Sequence, residues 1–91
     1  MATRGSKQPA SAKKKRKRYR DDAFLKRLGR NLRRKRVARG YSIDRVYLEG
    51  NGLNRATISR MERGMIDPQI STLKRFAETI GVPLSDLMKL E

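Results

Sequence analysis

Leu53-Asn54-Arg55-Ala56-Thr57-Ile58-Ser59-Arg60-Met61-Glu62-Arg63-Gly64 is the stretch on which the reading of this chain turns. It predicts a short helix over 54–63. Asn54 is a good N-cap, because its side-chain oxygen can accept a hydrogen bond from a free backbone N–H one turn on. Gly64 is a good stop, because it tolerates the left-handed conformation that ends helices. Ile58 and Met61 share a face with Leu53 just before the helix, so they can anchor it on a core. Arg55, Ala56, Ser59, Arg60 and Arg63 then fall on other faces. The result is a helix held from behind by apolar groups, with guanidinium groups on its remaining surface.

The flanking sequence extends this pattern in both directions. Upstream, Glu49-Gly50-Asn51-Gly52 breaks the chain, since two glycines and an asparagine are strong turn formers. Before it, Ser42 can cap a second helix with Asp44 in its first turn, and Val46 with Tyr47 or Leu48 is expected to face inward. Further upstream, Phe24, Leu25, Leu28 and Leu32 recur at helical spacing, predicting a first helix from about Ala23 to Arg39 with one buried stripe. Asp21 and Asp22 suit the positive end of that helix, and Gly40 ends it. Arg36 continues the stripe one turn beyond Leu32, so it is either partly buried with an acidic partner or swung out to solvent. Downstream, Met65-Ile66-Asp67-Pro68 is a loop. Ile70, Leu73, Phe76, Ala77 and Ile80 mark a fourth helix stopped by Gly81, and Leu84, Leu87, Met88 and Leu90 mark a short fifth. Five helices, short connections and no strand pattern predict an all-α five-helix bundle with a small core over 21–91. Residues 1–20 are rich in Lys, Arg, Ser and Ala and are expected to form a disordered basic arm, because they cannot bury enough apolar surface to offset the entropy of ordering.

Charge narrows the function. The 91 residues carry a net charge of +15 and no cysteine or histidine. Zinc fingers, thiol nucleophiles, His-based triads and disulfide frameworks are therefore excluded, and neither a metal nor a cofactor is expected. The absence of cysteine fits an intracellular protein. No apolar run is long enough to span a membrane, and no apolar segment follows the charged N-terminus as a secretory signal requires. Residues 1–20 hold nine Lys/Arg and no acid, residues 21–39 hold eight bases against two acids, and residues 40–91 hold seven of each sign. The excess sits on the arm and the first helix, where Arg27, Arg30, Arg33, Arg34, Lys35 and Arg39 surround the buried stripe. Polyanions are the obvious partners: DNA first, then RNA, then anionic lipid. The basic run Lys13, Lys14, Lys15, Arg16, Lys17 and Arg18 reads as an arm tracking phosphates or entering a minor groove. It also reads as a nuclear import signal in a eukaryotic source, or as a solvated run without a specific partner. The arginines of 54–63 suit the major groove, where Arg is the commonest specific reader of guanine through O6 and N7.

Taken together, these pieces resemble the Cro and phage-repressor type of helix-turn-helix regulators, also called the xenobiotic-response-element family. The resemblance covers residues 24–90. It is carried by Leu28-Gly29, Leu32-Arg33, Arg36, Gly40-Tyr41-Ser42, Ile58-Ser59-Arg60-Met61-Glu62-Arg63-Gly64, Pro68, Leu73, Ile80-Gly81-Val82, Leu84 and Asp86-Leu87, in order and spacing. It implies that the third helix is the recognition helix. Carried over, Arg55, Ala56 and Arg60 read bases, and Asn54, Thr57, Ser59 and Arg63 reach a base or a phosphate. A phosphate contact or an exposed charge is the alternative for Arg55 and Arg60. It further implies a structural pair between Arg36 and Glu62, and a homodimer formed through the C-terminal helix, with Leu87, Met88 and Leu90 as candidates. For Leu87 the alternative is the chain's own core.

Three departures stand out. The turn between the second and third helices is one residue longer than the family pattern, and either alignment puts Tyr47 or Leu48 where a small residue is usual. The sequence thus leaves the docking angle of the third helix open. Ile43 replaces a Gln that often contacts phosphate, a contact the basic tail would supply instead. Pro83 stands where a capping Ser or Thr is common, which passes the capping of the fifth helix to Ser85.

The function this implies is sequence-specific binding of double-stranded DNA by a transcriptional regulator, cytoplasmic and nucleoid-associated if the source is prokaryotic. No room remains in 91 residues for a separate ligand-binding domain, so regulation is expected from the protein's own concentration or from a protein partner. The alternative is a helix-turn-helix interaction protein, a coactivator bridge or antitoxin with little sequence preference of its own. A general nucleic-acid compactor or RNA binder is a third reading. Five aromatic residues with no stacking platform argue against RNA. No arrangement of Ser, Thr, Lys or acids suggests an activated nucleophile, so no catalytic residue is expected.

Overall fold

The computed structural model describes residues 19–90. The expected disorder of the arm and its basic run Lys13–Arg18 therefore lie outside the described residues, apart from Tyr19 and Arg20. Among the described residues there are five helices and no strand: α1 (Asp22–Ala38), α2 (Ile43–Glu49), α3 (Arg55–Glu62), α4 (Ile70–Ile80) and α5 (Leu84–Leu87). The all-α five-helix reading holds over this span.

Each of the first three helices starts where a short polar side chain can satisfy a free N–H. Asp21 accepts from the Phe24 N–H, Ser42 from the Arg45 N–H and Asn54 from the Thr57 N–H. The expectation for Ser85 fails. Pro83 holds the cap position of α5, no side chain caps it, and Ser85 lies inside its first turn. The Asp86 N–H bonds the Pro83 carbonyl instead, which is enough for a single turn.

One apolar core joins all five helices. Leu25, Leu28 and Leu32 of α1 meet Val46 of α2, Ile58 and Met61 of α3, Leu73, Phe76, Ala77 and Ile80 of α4, and Leu87 of α5, with Leu53 plugging in from the turn. Four residues expected to face inward lie at the surface: Phe24, Tyr47, Leu48 and Ile70. The stripe of α1 is centred on 25, 28, 29 and 32, which leaves Phe24 off its edge. Ile43, Val46 and Gly50 form the inward row of α2 at i, i+3 and i+7 spacing, so Tyr47 and Leu48 sit beside or opposite it. Ile70 opens α4 before its packed turns begin.

Two glycines mark places where other atoms crowd the backbone too closely for a side chain. A Cβ on Gly29 would lie 2.5 Å from the Glu62 carbonyl oxygen, so α1 and α3 touch backbone to backbone there. A Cβ on Gly50 would lie 2.7 Å from both the Val46 carbonyl oxygen and Leu53 Cδ1. At the C-cap of α2, Gly50 thus leaves room for the Leu53 side chain and for Thr79 of α4.

The buried polar groups include one that apolar periodicity misses. Asn31 is sealed between α1 and α5, where its Nδ2 donates to the Asp86 and Leu87 carbonyls at 3.1 and 2.7 Å. Its Oδ1 accepts from Arg34 Nη2 at 2.8 Å. Its polarity hides it from a search for apolar stripes, yet it ties the C-terminal helix to the bundle.

Candidate nucleic-acid interface

The interface is built on α3. Ile58, Met61 and Glu62 form its buried side, packed on α1 and α2. With 3.6 residues per turn, Ala56, Arg60 and Arg63 then point away from the core, with Arg55 and Ser59 on one flank and Thr57 on the other. Burial agrees: Arg55, Ala56, Arg60 and Arg63 are exposed, and Thr57 and Ser59 are half-buried. Asn54 is exposed too, but its Oδ1 is committed to the Thr57 N–H at 2.8 Å. Only its amide group is left for another partner.

A buried ion pair fixes the angle of α3 against α1. Arg36 Nε donates to Glu62 Oε2 at 2.6 Å and its Nη2 to Oε1 at 2.8 Å, a two-pronged geometry with side chains only 7% and 5% exposed. Arg36 Nη1 also donates to the Tyr41 carbonyl at 2.8 Å. The hydrogen bonds to Glu62 hold the Arg36 pKa above the ordinary arginine range, against the opposing pull of burial, so the guanidinium stays charged. Of the two conformations open to Arg36 in the sequence, the structure has the buried, paired one.

Arg55 is held from the other side of the turn. Its Nε donates to Asp44 Oδ1 at 2.6 Å, and its guanidinium carbon lies 4.4 Å from the centre of the Tyr47 ring. Both partners come from α2. Nothing local in the sequence marks these contacts, because Asp44 is 11 positions from Arg55 and Tyr47 reads as a core residue. Next to them on α2, Arg45 stacks on Tyr41 at 4.0 Å and pairs with Glu49 at 2.9 Å.

The basic residues of α1 divide by location. Lys26, Arg27, Arg30 and Arg33 are exposed, and none of them pairs with a carboxylate among the described residues. Arg39, grouped with them in the sequence, instead donates from Nε to the Ile80 carbonyl at 3.0 Å and so caps the end of α4. At the start of the described chain, Arg20 Nη2 donates to the Met65 carbonyl at 2.8 Å. That contact sets Arg20 against the loop that follows α3.

The three dimer candidates separate in the same way. Leu87 is fully buried in the core and cannot face a second chain without opening the domain, so its assignment to an interface is corrected to core. Leu90 is half-buried against that core, and Met88 is exposed. Among the described residues no helix is long and apolar enough to cross a membrane, and no cluster of three acidic, His or Cys groups is placed to hold a metal.

Comparison with known proteins matches this architecture. The chain is 34% identical over 65 residues to the HTH-type transcriptional regulator SlrR of Bacillus subtilis (strain 168), a match covering 70% of this chain and 42% of that protein. It thus spans less than half the length of that relative. Among solved structures it is similar to the restriction-modification controller protein C.AhdI from Aeromonas hydrophila, with a TM-score of 0.67 and 26% identity, covering 71% of this chain and 97% of the other. It is also similar to the DNA-binding domain of BldD, with a TM-score of 0.68 and 27% identity, covering 79% and 100%. The helix-turn-helix family HTH_3 matches residues 32–87, from the buried stripe of α1 to the last core leucine of α5. The matched residues take in α2, the turn and α3, and this chain belongs to the helix-turn-helix family.

Proposed function

We propose that the chain is a transcriptional regulator that binds double-stranded DNA through α3. One observation carries this: α3 is clamped to the core by Ile58, Met61 and the Arg36–Glu62 pair, while Arg55, Ala56, Arg60 and Arg63 stand outside it. A rigid short helix with guanidinium groups on its free face fits a major groove, where Arg reads guanine. Arg55, Ala56 and Arg60 are the base readers in this reading, with Asn54, Thr57, Ser59 and Arg63 reaching a base or a phosphate. The half-burial of Thr57 and Ser59 favours backbone contact for that pair. The arm, with Lys13, Lys14, Lys15, Arg16, Lys17 and Arg18, lies along phosphates or in a minor groove. Its support is the Arg20–Met65 contact, which starts the arm at one end of α3.

A second copy completes the regulator, and the exposed Met88 is the C-terminal apolar group available to it. A two-fold dimer places half-sites about one DNA turn, roughly 34 Å, apart. If the source is prokaryotic, such a protein works where the chromosome is, in the cytoplasm.

The test is selection of bound duplexes from a random pool at physiological salt, with the full chain and with residues 21–91. An enriched inverted repeat in both supports a dimeric, sequence-reading regulator, and the spacing of its halves gives the dimer geometry. Binding without enrichment that vanishes as salt rises removes the base-reading role and points to a protein-bridging or antitoxin-like one. A shallower salt dependence on loss of residues 1–20 supports the phosphate-tracking arm.

A further inference from the structure

We infer that Asp44 and Tyr47 are positioning residues that set base specificity by orienting Arg55 for a two-pronged contact with one guanine. The inference rests on the reading of Arg55 as a base reader and adds what holds it ready. Asp44 engages Arg55 through Nε, at 2.6 Å, and the Tyr47 ring covers one face of the guanidinium at 4.4 Å. Neither contact uses the two terminal Nη groups. That leaves the Nη edge of a fixed plane for the O6 and N7 of guanine. An unconstrained arginine loses much rotamer freedom on binding, and holding its plane beforehand removes part of that cost.

The two holders sit three residues apart on α2, which puts them on the same face one turn from each other. They act across the helix-turn-helix turn on a residue that opens α3. This gives Tyr47 a role that its position in the family pattern does not suggest. In one of the two alignments it stands where a small residue is usual, yet it is turned outward and stacked on Arg55 rather than wedged between helices. Its partner's charge matters as well. Asp44 repels phosphates, so it lowers affinity for any duplex while it favours the one sequence that satisfies the Arg55 fork. The pair is more than half exposed, at 59% and 69%, so it adds little to folding stability. Its energetic effect is left for recognition.

The experiment uses the full chain and the duplex enriched from the random pool. Arg55→Ala first identifies the guanine whose replacement no longer matters. Discrimination at that base pair is then measured for Tyr47→Ala, Tyr47→Phe, Asp44→Ala and Arg55→Lys, with circular dichroism melts confirming that each folds. Tyr47→Ala and Asp44→Ala are expected to lower discrimination at that one position by about tenfold, within the range one bidentate base contact supplies. Tyr47→Phe keeps the ring and keeps discrimination. Arg55→Lys keeps the charge and loses it. Asp44→Ala is also expected to bind unrelated duplexes more tightly, an opposite sign that loss of structure does not produce. Unchanged discrimination in Tyr47→Ala and Asp44→Ala, or an equal loss at every position, overturns the inference while leaving Arg55 a reader. Failure of any sequence to enrich overturns the base-reading role itself, and this inference with it.

Discussion

Two arginine–carboxylate pairs in this molecule have the same closest distance and opposite surroundings. Arg36–Glu62 and Arg55–Asp44 both close to 2.6 Å. The first is sealed between α1 and α3, with both side chains less than a tenth exposed. The second lies on the surface between α2 and α3. In the buried pair neither charge has water to fall back on, so each depends on the other, with Arg36 donating also to the Tyr41 carbonyl. In the exposed pair water competes for both groups, so the bond adds little to folding stability. Bond length therefore says little about what an ion pair does. The first locks α3 to α1, and the second joins the start of α3 to α2.

The largest expected effect comes from breaking the buried member. Glu62→Ala strands the Arg36 charge in the interface and should cost about 3 kcal/mol of folding stability, measured by urea unfolding. Replacing both partners with apolar residues, Arg36→Met with Glu62→Leu, should recover much of that loss, because no charge is then left unpaired. A double variant as unstable as the single one would mean that the Tyr41 contact, rather than the ion pair, carries the α1–α3 junction.

The exposed member should respond far less. Asp44→Ala is expected to change unfolding stability by no more than about 0.5 kcal/mol. A loss comparable to that of Glu62→Ala would erase the distinction between the two sites.

The smallest effect concerns acid. Hydrogen bonds from Arg45 lower the Glu49 carboxyl below its ordinary 4.5, and bonds from Lys74 do the same for Glu78. A lowered folded-state pKa gives stability that is present above the ordinary carboxylate value and lost as pH falls through the lowered one. Melting midpoints recorded downward from pH 6 should thus stay flat until the carboxylate range. The Glu49→Gln and Glu78→Gln variants should lose the small part of the decline below it that belongs to these exposed pairs.

Much of the architecture was legible because local chemistry and tertiary packing agree. Asp21, Ser42 and Asn54 cap where a short polar side chain precedes a helical period. The spacing of Leu25, Leu28 and Leu32, and of Leu73, Phe76, Ala77 and Ile80, marks buried faces without reference to anything distant. The errors fall where a residue's surroundings come from elsewhere in the chain. Phe24 is apolar but lies off the edge of the α1 stripe, and Ile70 opens α4 before its packed turns begin. Asn31 is polar but meets two carbonyls from α5, more than 50 positions away. Ser85 lies inside a helix too short to need its hydroxyl.

By itself the sequence determined five helices, a short capped third helix near 54–63 and a positive charge concentrated at the N-terminal end. Those follow from period, capping and composition, which are properties of neighbours along the chain. Only the tertiary structure decided that Gly29 lets α1 touch α3, that Leu87 belongs to the core, and that Tyr47 turns outward. It alone joined Asp44 and Tyr47 to Arg55. These depend on which surfaces meet when α2 and α3 fold across the Gly50–Asn54 turn, and no spacing in the sequence encodes a contact between side chains on two different helices.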